Sequence, residues 1–142
     1  MAYFKDLEHC TYFPLHCEAL TAIAWLERDS IFDKGQVEET FFRKLSALVS
    51  DPWQPVRLLG YHSCDLCQFD GPWCANNIFI PYQGKIFVAP VAIVHYISTH
   101  WYQPPSIFIE AVMACPPMRS TEYKKTLLNN GGRGLVQSTV AK

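Results

Sequence analysis

Apolar positions along the chain fall into two kinds of run, and the change between them marks where elements begin and end. Residues 19–27, ALTAIAWLE, are mostly apolar and stop at the turn-rich RDSIFDKG. They read as a core strand, although so many Ala and Leu residues would also suit a short helix. From Gln36 the period lengthens: Val37, Phe41, Leu45 and Leu48 recur at i, i+4, i+8 and i+11, with Glu38 and Glu39 ahead of Arg43 and Lys44. That spacing puts one apolar stripe on an amphipathic helix with acids at its amino end. Asp51-Pro52 ends it, because the residue before a proline is disfavoured in the helical region.

Val56 to Tyr61, bounded by Pro55 and Gly60, reads as a short strand that delivers the chain into HSCDLC. Residues 77–81 and 85–89 are two strand-like runs joined by Tyr82-Gln83-Gly84, which predicts a hairpin. Pro90 precedes VAIVHYISTH and Pro105 precedes SIFIEAVMAC, each supplying the preset φ of a first helical residue. Two helices follow from this, the second stopped by Pro116-Pro117. Between Ile78 and Cys115 the only formally charged residues are Lys85 and Glu110, so this half must hold much of the core. Beyond Pro117 the periodicity fades into NNGGRGLVQSTVAK, whose glycines and small polar residues lose more entropy on ordering than their burial returns. The expected architecture is a single α+β domain over residues 1–118, with a small, mostly antiparallel sheet, about three helices and a zinc-knuckle loop. Residues 119–142 are expected as a flexible basic tail.

Composition changes this picture only in its partners. At 142 residues with 49% apolar side chains, the chain fits one domain with a real core, which excludes a disordered body. The formal charge of −1 hides an asymmetry: residues 1–118 carry seven basic and twelve acidic side chains, residues 119–142 five basic and one acidic. An acidic body argues against nucleic acid, whose non-specific binding needs clustered Lys and Arg. The basic tail is sparse enough to be merely solvated. No basic stretch followed by an apolar run opens the chain and no run reaches membrane-span length, so a cytoplasmic location without membrane contact is expected. In a reducing compartment the six cysteines are thiols or metal ligands rather than disulfides.

Candidate chemistry then centres on four residues. Cys64-Asp65-Leu66-Cys67 has the C-x2-C spacing that lets two thiolates on a turn reach one ion, and His95 and His100 follow with four residues between them. A five-residue helical step leaves two side chains about 140° apart, so His100 must sit where the helix unwinds. Trp101, Tyr102 and Pro104-Pro105 favour such an ending. The reading is a structural Zn2+ held by Cys64, Cys67, His95 and His100, with His62 or Cys74 able to replace one of the distal ligands. Alternatively, Cys64 and Cys67 are partly buried thiols and the histidines bond to backbone carbonyls. A redox C-x-x-C is disfavoured because QFDGPW breaks the helix that would stabilise a thiolate. His9-Cys10 and His16-Cys17 match no standard zinc spacing and are better read as flanking the anchors Tyr12, Phe13 and Leu15.

The segments AIAWLER, GYHSCDLC and IFVAPVAIVHYISTHWYQPPSIFIEAV together resemble an uncharacterised domain family of small bacterial proteins, over roughly residues 3–115. The matching positions are Gly60, Tyr61, His62, Cys64, Cys67, Ala89, Pro90, His95, Tyr96, His100, Pro104 and Pro105. The resemblance implies that the four ligands belong to a family motif and attaches no activity to it; Trp73-Cys74 departs from the pattern. The chain contains no G-x-S-x-G, H-E-x-x-H or phosphate-binding glycine loop. A zinc-stabilised cytoplasmic interaction protein, of the kind found among immunity, antitoxin or defence components, is therefore the leading expectation, with another protein as partner. The alternatives are a metal-dependent enzyme with an open zinc position and His62 or Asp65 as base, and a nucleic-acid-binding zinc module that stacks bases on Trp53, Trp73 and Trp101.

Overall fold

In a computed structural model of the chain, residues 3–13, 17–55, 62–67 and 71–140 are described, so the strand expected over residues 56–61 lies outside them. In chain order the elements are β1 (Leu20–Ala22), α1 (Glu39–Ser50), β2 (His62–Ser63), β3 (Trp73–Cys74), β4 (Asn77–Tyr82), β5 (Lys85–Pro90), α2 (Ile93–His100), α3 (Ser106–Ala114), α4 (Thr121–Asn129) and α5 (Arg133–Val140).

The expected hairpin is the centre of the fold. Tyr82 pairs with Lys85 across Gln83 and Gly84, whose φ values of 49° and 79° are the positive pair that a tight two-residue hairpin turn requires. β1 adds to the far side of β5 in parallel, Leu20 opposite Ile86 and Ala22 opposite Val88, giving the order β1-β5-β4. The α+β class holds, with a mixed sheet of three strands and a separate antiparallel pair, β2 and β3. β1 is shorter than the apolar run that contains it. Ala24 turns to a φ of 64° and gives its N–H to Asp6 Oδ1 at 2.9 Å, so the strand stops while Ile23, Trp25 and Leu26 stay buried.

Both faces of the sheet are covered. Phe79 lies opposite Val88 and Phe87 opposite Ile80, so the alternation of strand side chains sends the two phenyl rings to opposite faces. Phe87 meets Phe108 of α3 edge-on at 6.0 Å, and Phe108 meets Phe41 of α1 at 6.4 Å. On the other face Phe79 packs against Phe13 at 5.4 Å and Trp53 at 6.3 Å. α1 buries the predicted stripe of Phe41, Leu45 and Leu48, but starts at Glu39, leaving Val37 half-buried ahead of it.

Two expectations need correction. Pro90 does not open a helix: it closes β5 opposite Asn77, and α2 begins at Ile93. The tail expected to be mobile carries two helices, making five in place of about three. Ser120 caps α4 by accepting the Tyr123 N–H at 3.2 Å. Gly131, at φ 91°, ends the helix, and the Gly132 N–H returns to the Leu127 carbonyl at 2.8 Å. Tyr123, Leu127 and Leu135 are fully buried by this arrangement. The glycines counted as an entropic cost are the turn that lets two short helices pack.

α4 also protects the open edge of the sheet. Tyr123 Oη donates to the Phe79 carbonyl of β4, the Asn77 N–H bonds to Gln54 Oε1 at 2.9 Å, and Pro81 has no N–H to satisfy. Among the described residues no helix is long and apolar enough to cross a membrane.

Candidate metal centre

The turn after β2 presents Cys64 and Cys67, and its base is closed by the short β2–β3 ladder, which sets His62 opposite Cys74 and Ser63 opposite Trp73. Gly71 lies directly under this turn. A Cβ added there would stand 2.9 Å from the Cys64 Cβ and 3.1 Å from the Cys67 Sγ, so the close approach requires glycine. Tyr3 Oη donates to Asp65 Oδ2 at 2.6 Å, fastening the amino-terminal segment to the turn.

The opposing pair comes from α2. Its last residue is His100, after which Trp101 adopts a left-handed φ of 59°. The Tyr102 N–H donates to the Tyr96 carbonyl at 3.1 Å, and the Trp101 carbonyl accepts the Gly35 N–H at 2.9 Å. The helix thus unwinds directly after His100, and the His95 and His100 ring centroids stand 5.0 Å apart. The Cys67 Sγ then lies 3.2 Å from His95 Nε2 and 3.4 Å from His100 Nε2, with the Cys64 Sγ 3.5 Å from His100 Nε2. One donor atom from each of the four residues falls within 4.8 Å of all the others.

Burial pushes the Cys64 thiol up to about 11, chiefly by desolvation. Burial likewise lowers the basicity of both imidazoles, with the neighbouring His100 adding to the effect at His95. Cys64 is therefore a thiol at neutral pH, the reverse of an activated redox cysteine, and the imidazoles are held in the neutral form that ligates metals. Two cysteine sulfurs and two neutral imidazoles converging on one point could hold a metal ion, whose charge would draw off the Cys64 proton.

The other candidates are placed elsewhere. Cys74 is half-buried against the core and outside the cluster. Cys10 and Cys17 are buried, the Cys17 Sγ 3.4 Å from the Gly131 carbonyl, while His9 Nδ1 lies 3.0 Å from the Leu20 carbonyl; His16 is outside the described residues. Trp53 is spent on packing against Phe79 and Tyr123, whereas Trp101 is 61% exposed. All six cysteines are free. Sequence reasoning passed over Thr99, whose Oγ1 lies 3.3 Å from His95 Nδ1 and orients that ring. The signal was available, since residues four apart share a helix face.

Fold and cluster together define a small α+β domain with a Cys2His2 group able to take a metal. The chain belongs to the domain family of unknown function DUF7919, whose model matches residues 2–113 and so includes all four cluster residues. No curated protein and no solved structure matches the chain.

Proposed function

We propose that Cys64, Cys67, His95 and His100 hold one zinc ion in a structural role, and that the chain is a zinc-stabilised cytoplasmic protein whose partner is another protein. The observation that carries the metal assignment is the set of sulfur–nitrogen separations, 3.2, 3.4 and 3.5 Å. A tetrahedral zinc with bonds of about 2.3 Å to sulfur and about 2.0–2.1 Å to nitrogen would set those atoms about 3.5 Å apart. With four protein donors the ion has no open position, which supports a stabilising role over an activated water. Six free cysteines suit a reducing compartment. The partner reading draws support from Ile31, fully exposed at 101%, and Trp101, large apolar side chains of the kind that anchor protein contacts.

Metal analysis of the purified chain by mass spectrometry, with thermal melts before and after chelation, tests the assignment. The expected result is about one zinc per chain and a melting temperature that falls by roughly 5–15 °C on chelation and recovers with zinc. Cys64→Ser and His100→Ala should lose the metal and melt like the chelated parent. A metal-free protein whose variants melt like the parent sinks the reading.

A further inference from the structure

Residues 27–34 run beside the metal cluster as a loop in which acids and bases are interleaved: Glu27, Arg28, Asp29, Asp33 and Lys34. The fold separates them. A cleft of about 440 Å³ is lined by Arg28, Ser30, Lys34, Leu66 and His100, and by no acid among the described residues. Glu27, Asp29 and Asp33 line a neighbouring cleft, which shares Ser30, Ile31 and Phe32 with the first. The loop is held in this arrangement from both ends. Ser30 Oγ accepts the Glu27 N–H at 2.9 Å, leaving its own proton to donate, and the Asp33 carbonyl accepts the Gln103 N–H at 2.9 Å.

Among the described residues neither Arg28 nor Lys34 makes an ion pair; the pairs there are Arg43 with Glu39 and Arg119 with Asp51. Lys34 Nζ stands 5.6 Å from the Phe32 ring centroid, a contact that positions the ammonium without cancelling its charge. His100 adds a donor. Its Nε2 faces the two cysteine sulfurs, and an imidazole that gives one nitrogen to a metal carries its proton on the other. His95 has Thr99 beside its Nδ1, but no acceptor for His100 Nδ1 occurs among the described residues.

The geometry points to this cleft as the binding site of a small organic phosphate. Arg28 and Lys34 balance the phosphate dianion, the Ser30 hydroxyl and His100 Nδ1–H donate to its oxygens, and Ile31, Phe32 and Leu66 line the space for its apolar body. A carboxylate, with one charge, would leave one cation unmatched. The volume falls within the range of about 300–1,000 Å³ usual for small-molecule sites. The His100 contact rests on the metal assignment; those of Arg28, Lys34 and Ser30 do not.

Calorimetric titration of the full zinc-treated chain with phenyl phosphate and with benzoate, at fixed ionic strength, tests this. Phenyl phosphate should bind saturably and at least tenfold more tightly than benzoate. Arg28→Ala/Lys34→Ala should weaken it tenfold or more while keeping the parent's metal content and melting temperature. No saturable binding, equal binding of benzoate, or parent-like affinity in the double variant would overturn the assignment. If the chain takes up no zinc yet binds phenyl phosphate through Arg28 and Lys34, the cleft stands and the metal reading falls. Zinc uptake without phenyl phosphate binding gives the converse.

Discussion

At Gly71 the metal-site turn has no room for a methyl group, because an added Cβ would meet the Cys64 Cβ at 2.9 Å and the Cys67 Sγ at 3.1 Å. Gly71→Ala must therefore push the sulfur that lies closest to both imidazoles. We expect zinc affinity to fall by roughly 10–100-fold, the scale of other changes just outside a ligand shell, when measured by competition with a chromogenic chelator; unchanged affinity would contradict the packing. Asp6 poses a different residue-scale question. Burial raises its carboxyl above the ordinary range and outweighs the stabilising bonds from the Ala24 N–H and the Tyr102 hydroxyl. The native state thus holds the Asp6 proton more tightly than the unfolded chain does. The stability this contributes is complete below the unfolded carboxylate pKa and is lost as pH rises through the raised native value. Asp6→Asn keeps an acceptor for Ala24 and removes the titration. Urea unfolding from about pH 4 to about pH 7 should show the variant gaining on the parent as pH increases; a gap that narrows with pH would reverse the sign.

Among the elements, the α4–α5 junction depends on backbone approach. A Cβ at Gly132 would lie 2.7 Å from the Leu127 carbonyl oxygen, the same oxygen that accepts the Gly132 N–H. Gly132→Ala should cost about 1–2 kcal/mol in urea unfolding, and a neutral result would mean that the junction is not packed as described. This junction also shows where the sequence was legible and where it was not. The hairpin could be read because Gln83-Gly84 carries its own turn chemistry, and α1 because its stripe repeats three times. The cluster was legible from local spacing, since C-x2-C is set within one turn and H-x4-H within one helix. Pro90 was ambiguous: a proline can end a strand or open a helix, and only the partner Asn77 decides. α4 and α5 were missed because Tyr123, Leu127 and Leu135 gain their value from the sheet edge that they cover, which no local pattern reveals. The sorting of Arg28 and Lys34 from their acidic neighbours likewise follows from the path of a loop.

Across the whole molecule, the two halves of the cluster are separated by 27 intervening residues, and the β4–β5 hairpin fills about half of that interval. β3 runs almost directly into β4, and β5 into α2. Once the hairpin has zipped, its open end already holds both halves of the cluster close together, so the tether that an ion must close is short whatever the sequence separation. Hydrophobic strand pairing meets that entropic cost, and a metal held there would be a late arrival that latches a nearly finished fold. A contact made after the transition state leaves the folding rate alone and slows unfolding. Stopped-flow refolding should therefore proceed at the same rate with zinc or with chelator, while the unfolding rate falls when zinc is present. Zinc-accelerated refolding would place the ion in the nucleus instead.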